Sequence, residues 1–291
     1  MLGHMLMYEF SASPAYVVMG SVRSKERLEG VYPPRLLPLL IDGVSADDFL
    51  TVRNAVVDSA PDVIINCIGL IRQLPEGREP LPCIEINARF PHLLLSLCKE
   101  RHIRLIHYST DCVFDGSKGS HYTEEDPPSA KDIYGMSKYL GEVHEAPALT
   151  IRTSIIGHEL QSHHGLVEWF LSQKGAVNGY TQAIYSGLPV TEHARVLREV
   201  ILPAPELTGL YQIVGKPISK YTLLSLVGKI YGKSTSVIPV DGFGENKAMS
   251  GDAFRRATGY APPDWEQLIH DMYRSHHQRM KELHPHETVS K

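Results

Sequence analysis

Residues 61–69 read PDVIINCIG and residues 103–109 read IRLIHYS. Asp62–Ile68 is a continuous apolar run between Pro61 and Gly69. A run without polar alternation predicts a strand buried on both faces of a parallel sheet. Ile103–Ser109 is a second strand, reached through a helical stretch with an apolar face, Pro82–Glu100. Working outward, Ala15–Val22 is expected as a strand and Ala46–Ser59 as a helix. Helix Tyr134–His144, strand Leu149–Thr153 and helix Leu166–Gln173 follow. Strand and helix thus alternate in units of about 30 residues, which predicts an α/β fold with a doubly wound, Rossmann-like parallel sheet.

Past residue 155 the rhythm loosens and proline and glycine turns become denser. Short strands are expected at Thr181–Tyr185, Gly209–Val214 and Ser236–Val240. Helices are expected at Glu192–Leu202, Lys220–Tyr231 and Trp265–Lys281. The expected organisation is a dinucleotide-binding domain over 1–155, with returns near 190–214. A smaller substrate-binding region takes 156–189 and 215–291. The polar tail after Met280, carrying His284 and His286, is expected to fray.

The 291 residues are 43% hydrophobic, enough for a sizeable core, and the net charge is −4. That charge gives no electrostatic case for nucleic acid, which needs a basic surface. No apolar run reaches the roughly 20 residues of a membrane span, and no secretion signal opens the chain. The four cysteines (Cys67, Cys83, Cys98 and Cys112) lack metal-ligand spacing and fit a reduced, cytoplasmic protein. His158, His163 and His164 lie without carboxylate or cysteine company, so they are read as a loop cluster and no metal is expected.

The chain opens on a helix, Met1–Phe10, with Leu2, Leu6 and Phe10 four residues apart. A nucleotide-binding sheet ordinarily opens with a strand and a glycine-rich turn, which lets the backbone approach a diphosphate. Gly3 alone matches the last glycine of such a turn. The expectation is that the sequence as given begins inside that fingerprint, truncated or with a misassigned start, with Leu2 and Gly3 beside the diphosphate.

The densest chemistry is Ser109-Thr110-Asp111 at a strand end and Tyr134-Gly-Met-Ser-Lys138 at a helix start. Four residues apart on a helix, Tyr134 and Lys138 share a face. A nearby ammonium favours phenolate and tunes a tyrosine for proton transfer to a carbonyl or alcohol. Thr110 can hydrogen-bond the same oxygen, at the strand ends where open α/β sheets bind ligands.

The segments HYSTDCVFDG, YTEEDPP and DIYGMSKYLGE resemble the extended short-chain dehydrogenase/reductases. Among them the chain is most similar to the dTDP-4-dehydrorhamnose reductase family. The resemblance runs from Met1 to about Tyr273, with specific motifs through Gly157. It implies reduction of the 4-keto group of a nucleotide-linked 6-deoxyhexose by NADPH or NADH, in surface polysaccharide precursor synthesis. It implies Thr110, Tyr134 and Lys138 as catalytic residues: Tyr134 protonates the developing alkoxide and Thr110 hydrogen-bonds it. Lys138 holds the nicotinamide ribose and depresses the Tyr134 pKa.

Further positions follow from the same resemblance. Asn66, Cys67, Ile68 and Gly69 line the cofactor. Arg23 follows the second strand of the fold, where a guanidinium suits a 2′-phosphate and hence NADPH, and Asp42 meets the adenine. Asn87 matches a helix asparagine that the superfamily uses structurally and in proton relay. Arg72, Gln73, Asp111, Cys112, Tyr185 and Ser186 are expected to contact the sugar nucleotide, with Arg72 suited to a diphosphate. A homodimer is a candidate assembly. The family usually has tyrosine where Cys112 stands, so an N-acetylated UDP-4-keto-6-deoxysugar is a second candidate substrate. Two other readings remain open: a nucleotide-binding regulatory subunit or inactive truncated homologue, and an epimerase or dehydratase of the superfamily. Dehydratases resembling these carry an acidic pair after the strand-end threonine, whereas Asp111 is followed here by Cys112.

Overall fold

The computed structural model describes residues 1–119, 121–242 and 244–284. Its centre is four parallel strands: β3 (Val63–Asn66), β4 (Arg104–Tyr108), β5 (Ala148–Arg152) and β10 (Gly209–Gln212), in the order β10-β5-β4-β3. Two further short strands, β1 (Gly20–Ser21) and β2 (Leu40–Ile41), pair with each other in parallel. The remaining strands are β6 (Ile155–Ile156), β7 (Ala176–Tyr180), β8 (Ile184–Tyr185), β9 (Leu188–Pro189), β11 (Ile218–Ser219) and β12 (Ser236–Val240). They form three two-stranded pairs, β6 with β9, β7 with β12 and β8 with β11.

Alternation along the central strands sorts side chains onto two apolar layers. Leu105 of β4 and Ala148 of β5 pack with helices α2 (Phe49–Ser59) and α4 (Phe90–Arg101). Ile106, Tyr108, Leu149 and Ile151 face the other way, onto α1 (Leu2–Ser11), α7 (Val190–Val196), α8 (Lys220–Ile230) and α10 (Trp265–Leu283). Helices on both faces of a parallel sheet are the doubly wound arrangement that the sequence predicts. Helices α3 (Pro80–Cys83), α5 (Ile133–Leu140), α6 (Leu166–Ser172) and α9 (Asp252–Thr258) complete the set. No helix among the described residues is long and apolar enough to cross a membrane.

Several expected elements differ in extent. Of Ala15–Val22 only β1 is paired; Val17 is 99% exposed and Met19 53%. A strand needs a neighbouring strand for its backbone groups, and among the described residues none pairs with 15–19. The run at 62–68 shortens to β3, whose Val63, Ile64 and Ile65 are half-buried rather than buried, because β3 is the edge of its sheet. The helix expected at Pro82–Glu100 is interrupted by a wider turn over Ile84–Arg89, just before Pro91, which has no N–H to give. Helix α10 continues to Leu283, past its expected end. His286 lies outside the described residues.

Candidate active site

Strand β4 delivers Ser109 and Thr110 to the end of the sheet, where a short turn, Asp111–Val113, begins. The Thr110 hydroxyl accepts the Cys112 N–H at 3.2 Å, which caps that turn, and donates to Asp111 Oδ1 at 3.2 Å. Helix α5 lies across it, started by Asp132, whose Oδ1 accepts the Gly135 N–H at 3.0 Å. The approach is close enough that position 135 must be glycine: a Cβ there would sit 2.2 Å from the Cys112 carbonyl oxygen. A Cβ at Gly141, at the far end of α5, would sit 1.9 Å from the Asn87 carbonyl oxygen. Two missing side chains therefore let α5 lay Tyr134 against Thr110.

Thr110 and Tyr134 thus come together, with Lys138 one helical turn further on, but not with the electrostatics expected of them. Burial dominates the Tyr134 phenol and holds its pKa above the ordinary value. Cys112 and Asp111 raise it further, while the Thr110 hydroxyl and Arg72 act to lower it. The expected depression by Lys138 is not found. The Lys138 ammonium instead donates to the Tyr108 carbonyl oxygen at 2.6 Å, and burial lowers its pKa to about 8. Lys138 borders Gly69, where an added Cβ would be 3.8 Å from Nζ and 3.4 Å from Asn87 Oδ1. Asn87 fastens this wall: its Oδ1 accepts the Leu70 N–H at 2.8 Å and its Nδ2 donates to the Leu70 carbonyl and to Ser137 Oγ.

Beneath the site lies a buried ionic group. Arg152, 2% exposed, donates through Nε and Nη2 to both oxygens of Glu142, each at 2.7 Å. Ser109 Oγ donates to the same carboxylate at 2.7 Å. The group locks the ends of β4 and β5 to the segment following α5. Neither Glu142 nor Arg152 is picked out by sequence, although Tyr134, Lys138 and Glu142 recur at four-residue spacing.

The other expected residues divide. Arg72 reaches the site: its guanidinium carbon lies 6.0 Å from the Tyr134 ring centroid, and Nη2 pairs with Asp132 at 2.7 Å. Gln73 is exposed beside it. Cys112 and Asp111 line the cleft; burial pushes the Cys112 thiol up to about 12 and raises the Asp111 carboxyl. Lys247, which sequence reasoning missed, is 8% exposed and pairs with Glu245 at 2.7 Å, and its charge acts on both Asp111 and Cys112. It arrives from far along the chain on a strap bonded to Tyr122 and Ser186, so no local pattern announces it.

Tyr185 and Ser186 lie inside the fold rather than on its surface. The Tyr185 hydroxyl donates to the Ser154 carbonyl at 3.0 Å, Ser186 Oγ accepts the Met249 N–H at 3.1 Å, and both residues are buried. Their polar atoms hold the fold together. The Leu2 side chain, 5% exposed, belongs to the core, which leaves its backbone at the start of α1. Gly3 backs onto Cys67, with 3.5 Å between an added Cβ and the cysteine Cβ. Asn66 is buried, paired with His107 at 3.0 Å and accepting the Ile68 N–H, whereas Cys67, Ile68 and Gly69 are exposed. Asp42 accepts the Lys25 N–H at 2.8 Å and so shapes the loop that carries Arg23, which is exposed. Among the described residues, no group of three or more histidine, cysteine or acidic side chains is arranged to hold a metal ion.

Comparison with known proteins bears on this site. A dTDP-4-dehydrorhamnose reductase of Burkholderia thailandensis is 32% identical over 124 residues, 41% of this chain and 42% of that protein. One from Streptomyces griseus is 34% identical over 95 residues, 33% of this chain and 31% of that one. The matched stretches therefore span less than half the length of these relatives. In fold, the chain is similar to the Bacillus anthracis dTDP-4-dehydrorhamnose reductase solved with NADP (TM-score 0.70, 20% identity, 81% of this chain and 90% of that one). It is also similar to the dTDP-glucose 4,6-dehydratase of the same organism solved with NAD (TM-score 0.73, 17% identity, 97% and 94%). Residues 33–178, which hold Thr110, Tyr134 and Lys138, match the model of the RmlD substrate binding domain, and the chain belongs to that family.

Proposed function

We propose that this protein reduces the 4-keto group of a nucleotide-linked 6-deoxyhexose with NADPH or NADH, supplying a precursor for surface polysaccharide. The observation that carries this reading is Tyr134 set against Thr110 at the end of β4, with Lys138 one helical turn on. A protein that only binds nucleotides has no use for a phenol so placed. The relatives' reductase names and the NADP and NAD of the solved neighbours support the same chemistry.

The residues present fit the nicotinamide end of such a cofactor. Lys138 spends one N–H on Tyr108 and has two more to offer ribose hydroxyls. The bare Gly69 leaves open the space that a side chain would fill beside it. Arg23 and the loop shaped by Asp42 take the adenosine end, where a guanidinium favours a 2′-phosphate. Bound there, the reduced nicotinamide supplies the hydride.

Tyr134 gives its phenolic proton to the substrate oxygen as the carbonyl becomes an alcohol. Burial keeps that proton in place at neutral pH, so the acid is loaded in the direction of reduction. Thr110 holds the same oxygen. Arg72, with Gln73 beside it, and Lys247 bring cations to the cleft and suit the diphosphate of a sugar nucleotide. Residues 1–155 with the return at 190–214 serve the cofactor, and 156–189 with 215–291 serve the substrate. The test is NADPH consumption with a panel of dTDP- and UDP-linked 4-keto-6-deoxysugars, N-acetylated ones included. Turnover of at least one is expected; a protein that binds NADPH and turns over none refutes the reading.

A further inference from the structure

Helices α1 and α10 enclose polar groups that the reduction does not use. His4 and Tyr8 lie one turn apart on α1 and are 8% and 6% exposed. Arg279 of α10 is 2% exposed. His4 Nε2, Tyr8 Oη, and Nε and Nη1 of Arg279 are buried without a hydrogen-bond partner. The guanidinium makes one bond, from Nη2 to His276 Nδ1 at 3.3 Å. Arg279 and His276 stand on the wall of a cavity of about 120 Å³.

The neighbouring carboxylates are engaged elsewhere. Glu168 accepts His158 Nδ1 at 2.6 Å, and Glu159, on the cavity wall, accepts the Gly165 N–H at 2.8 Å. Arg279 is in no ion pair among the described residues. Arg35, which lies over the Tyr8 ring, is balanced by Glu282. A buried guanidinium in no ion pair and with unmade hydrogen bonds is costly even with the Glu168 charge nearby, and a fold keeps such a group where something else completes it. The missing partner must be an acceptor, negatively charged and small enough for the cavity. Phosphate meets all three conditions, and arginine suits its oxygens.

We propose that the cavity beside α10 is a binding site for one phosphate group, held by Arg279, whose Nε and Nη1 are unpartnered, with His276 beside it on the wall. The cavity has room for a tetrahedral anion. The group is either free phosphate or a phosphomonoester whose remainder lies outside. The site is separate from Thr110 and Tyr134, and its existence does not depend on the reductase reading.

The experiment is thermal unfolding of the full chain in inorganic phosphate against chloride of equal ionic strength and pH. A saturable rise in Tm of about 2–4 °C is expected. Arg279→Met should abolish the rise while unfolding in chloride no earlier than the unsubstituted protein, because an unpaired charge has gone. No rise up to about 20 mM phosphate, or an equal rise in Arg279→Met, overturns the proposal. If Arg279→Met does not fold, calorimetric titration of Arg279→Gln with phosphate replaces it. A severalfold weaker Kd supports the site, and an unchanged Kd overturns it. A second arm titrates a nucleoside monophosphate. Arg279-dependent binding tighter than that of phosphate identifies a phosphomonoester, and weaker binding identifies the free anion.

Discussion

The two sides of the molecule treat similar sequences in opposite ways. Strands β4 and β5 are paired on both edges, and Leu105, Ile106, Leu149 and Ile151 are wholly buried. Beneath their ends the Glu142–Arg152–Ser109 group satisfies its charges internally. On the other side, β3 keeps Val63, Ile64 and Ile65 half-exposed, and residues 15–19, equally rich in valine, pair with no strand among the described residues. The β-propensity is the same. What differs is the presence of neighbours, which supply hydrogen-bond partners and cover apolar area. The proposed chemistry sits where strands are fixed from both sides, and a proton donor must be held to a fraction of an ångström.

The comparison is tested first where the effect is largest. Tyr134→Phe removes the proposed proton donor and leaves the ring in place. A loss of about 10²–10⁴-fold in kcat is expected, with cofactor affinity within about twofold by fluorescence titration. Retention of most turnover would show that the interior does not carry the chemistry. Next, Glu142→Gln leaves Arg152 charged and buried. It should cost about 3–5 kcal/mol in urea unfolding. The Glu142 pKa is lowered by Arg152 and its other hydrogen-bond donors, which outweigh burial. A lowered carboxylate contributes stability above its unfolded pKa and loses it as pH falls through the folded value. The native protein should therefore lose stability on acidification more steeply than Glu142→Gln does. Equal slopes would remove the ionic group from the account of the interior.

Much of the interior was legible because its signals are local. Apolar runs marked β4 and β5, and the four-residue spacing put Tyr134 and Lys138 on one face of α5. The resemblance placed them beside Thr110. What was not legible depends on contacts across the chain. Lys247 reaches the cleft on a strap tied to Tyr122 and Ser186, and nothing around it in sequence says so. Tyr185 and Ser186 look available for a ligand until Ser154 and Met249 claim their polar atoms. The lysine–phenol coupling failed for a related reason. Spacing shows that two residues share a face, but burial and the Tyr108 carbonyl decide which partner the ammonium takes.

That failure makes a prediction of intermediate size. With Tyr134 raised and Lys138 lowered to about 8, the alkaline limb of activity should belong to the lysine. Above that pH kcat/KM for the cofactor should fall about tenfold per unit, and Lys138→Arg should move the limb upward. A limb near the ordinary phenol value, unmoved in Lys138→Arg, would return control to Tyr134. The stability consequence has the opposite sign. Between about 8 and the ordinary lysine value the unfolded chain binds more protons than the native one. Stability should therefore gain from Lys138 as pH rises through that window.

The smallest effect belongs to the outer side. Val17→Thr should change stability by no more than about 0.5 kcal/mol, since the side chain is already in water. Ile151→Ala, in the wholly buried β5, should cost about 2–5 kcal/mol. Urea unfolding of both variants compares the two sides directly. If Val17→Thr proved as costly as Ile151→Ala, residues 15–19 would have a covering partner in solution, and the contrast would reflect assembly rather than sequence.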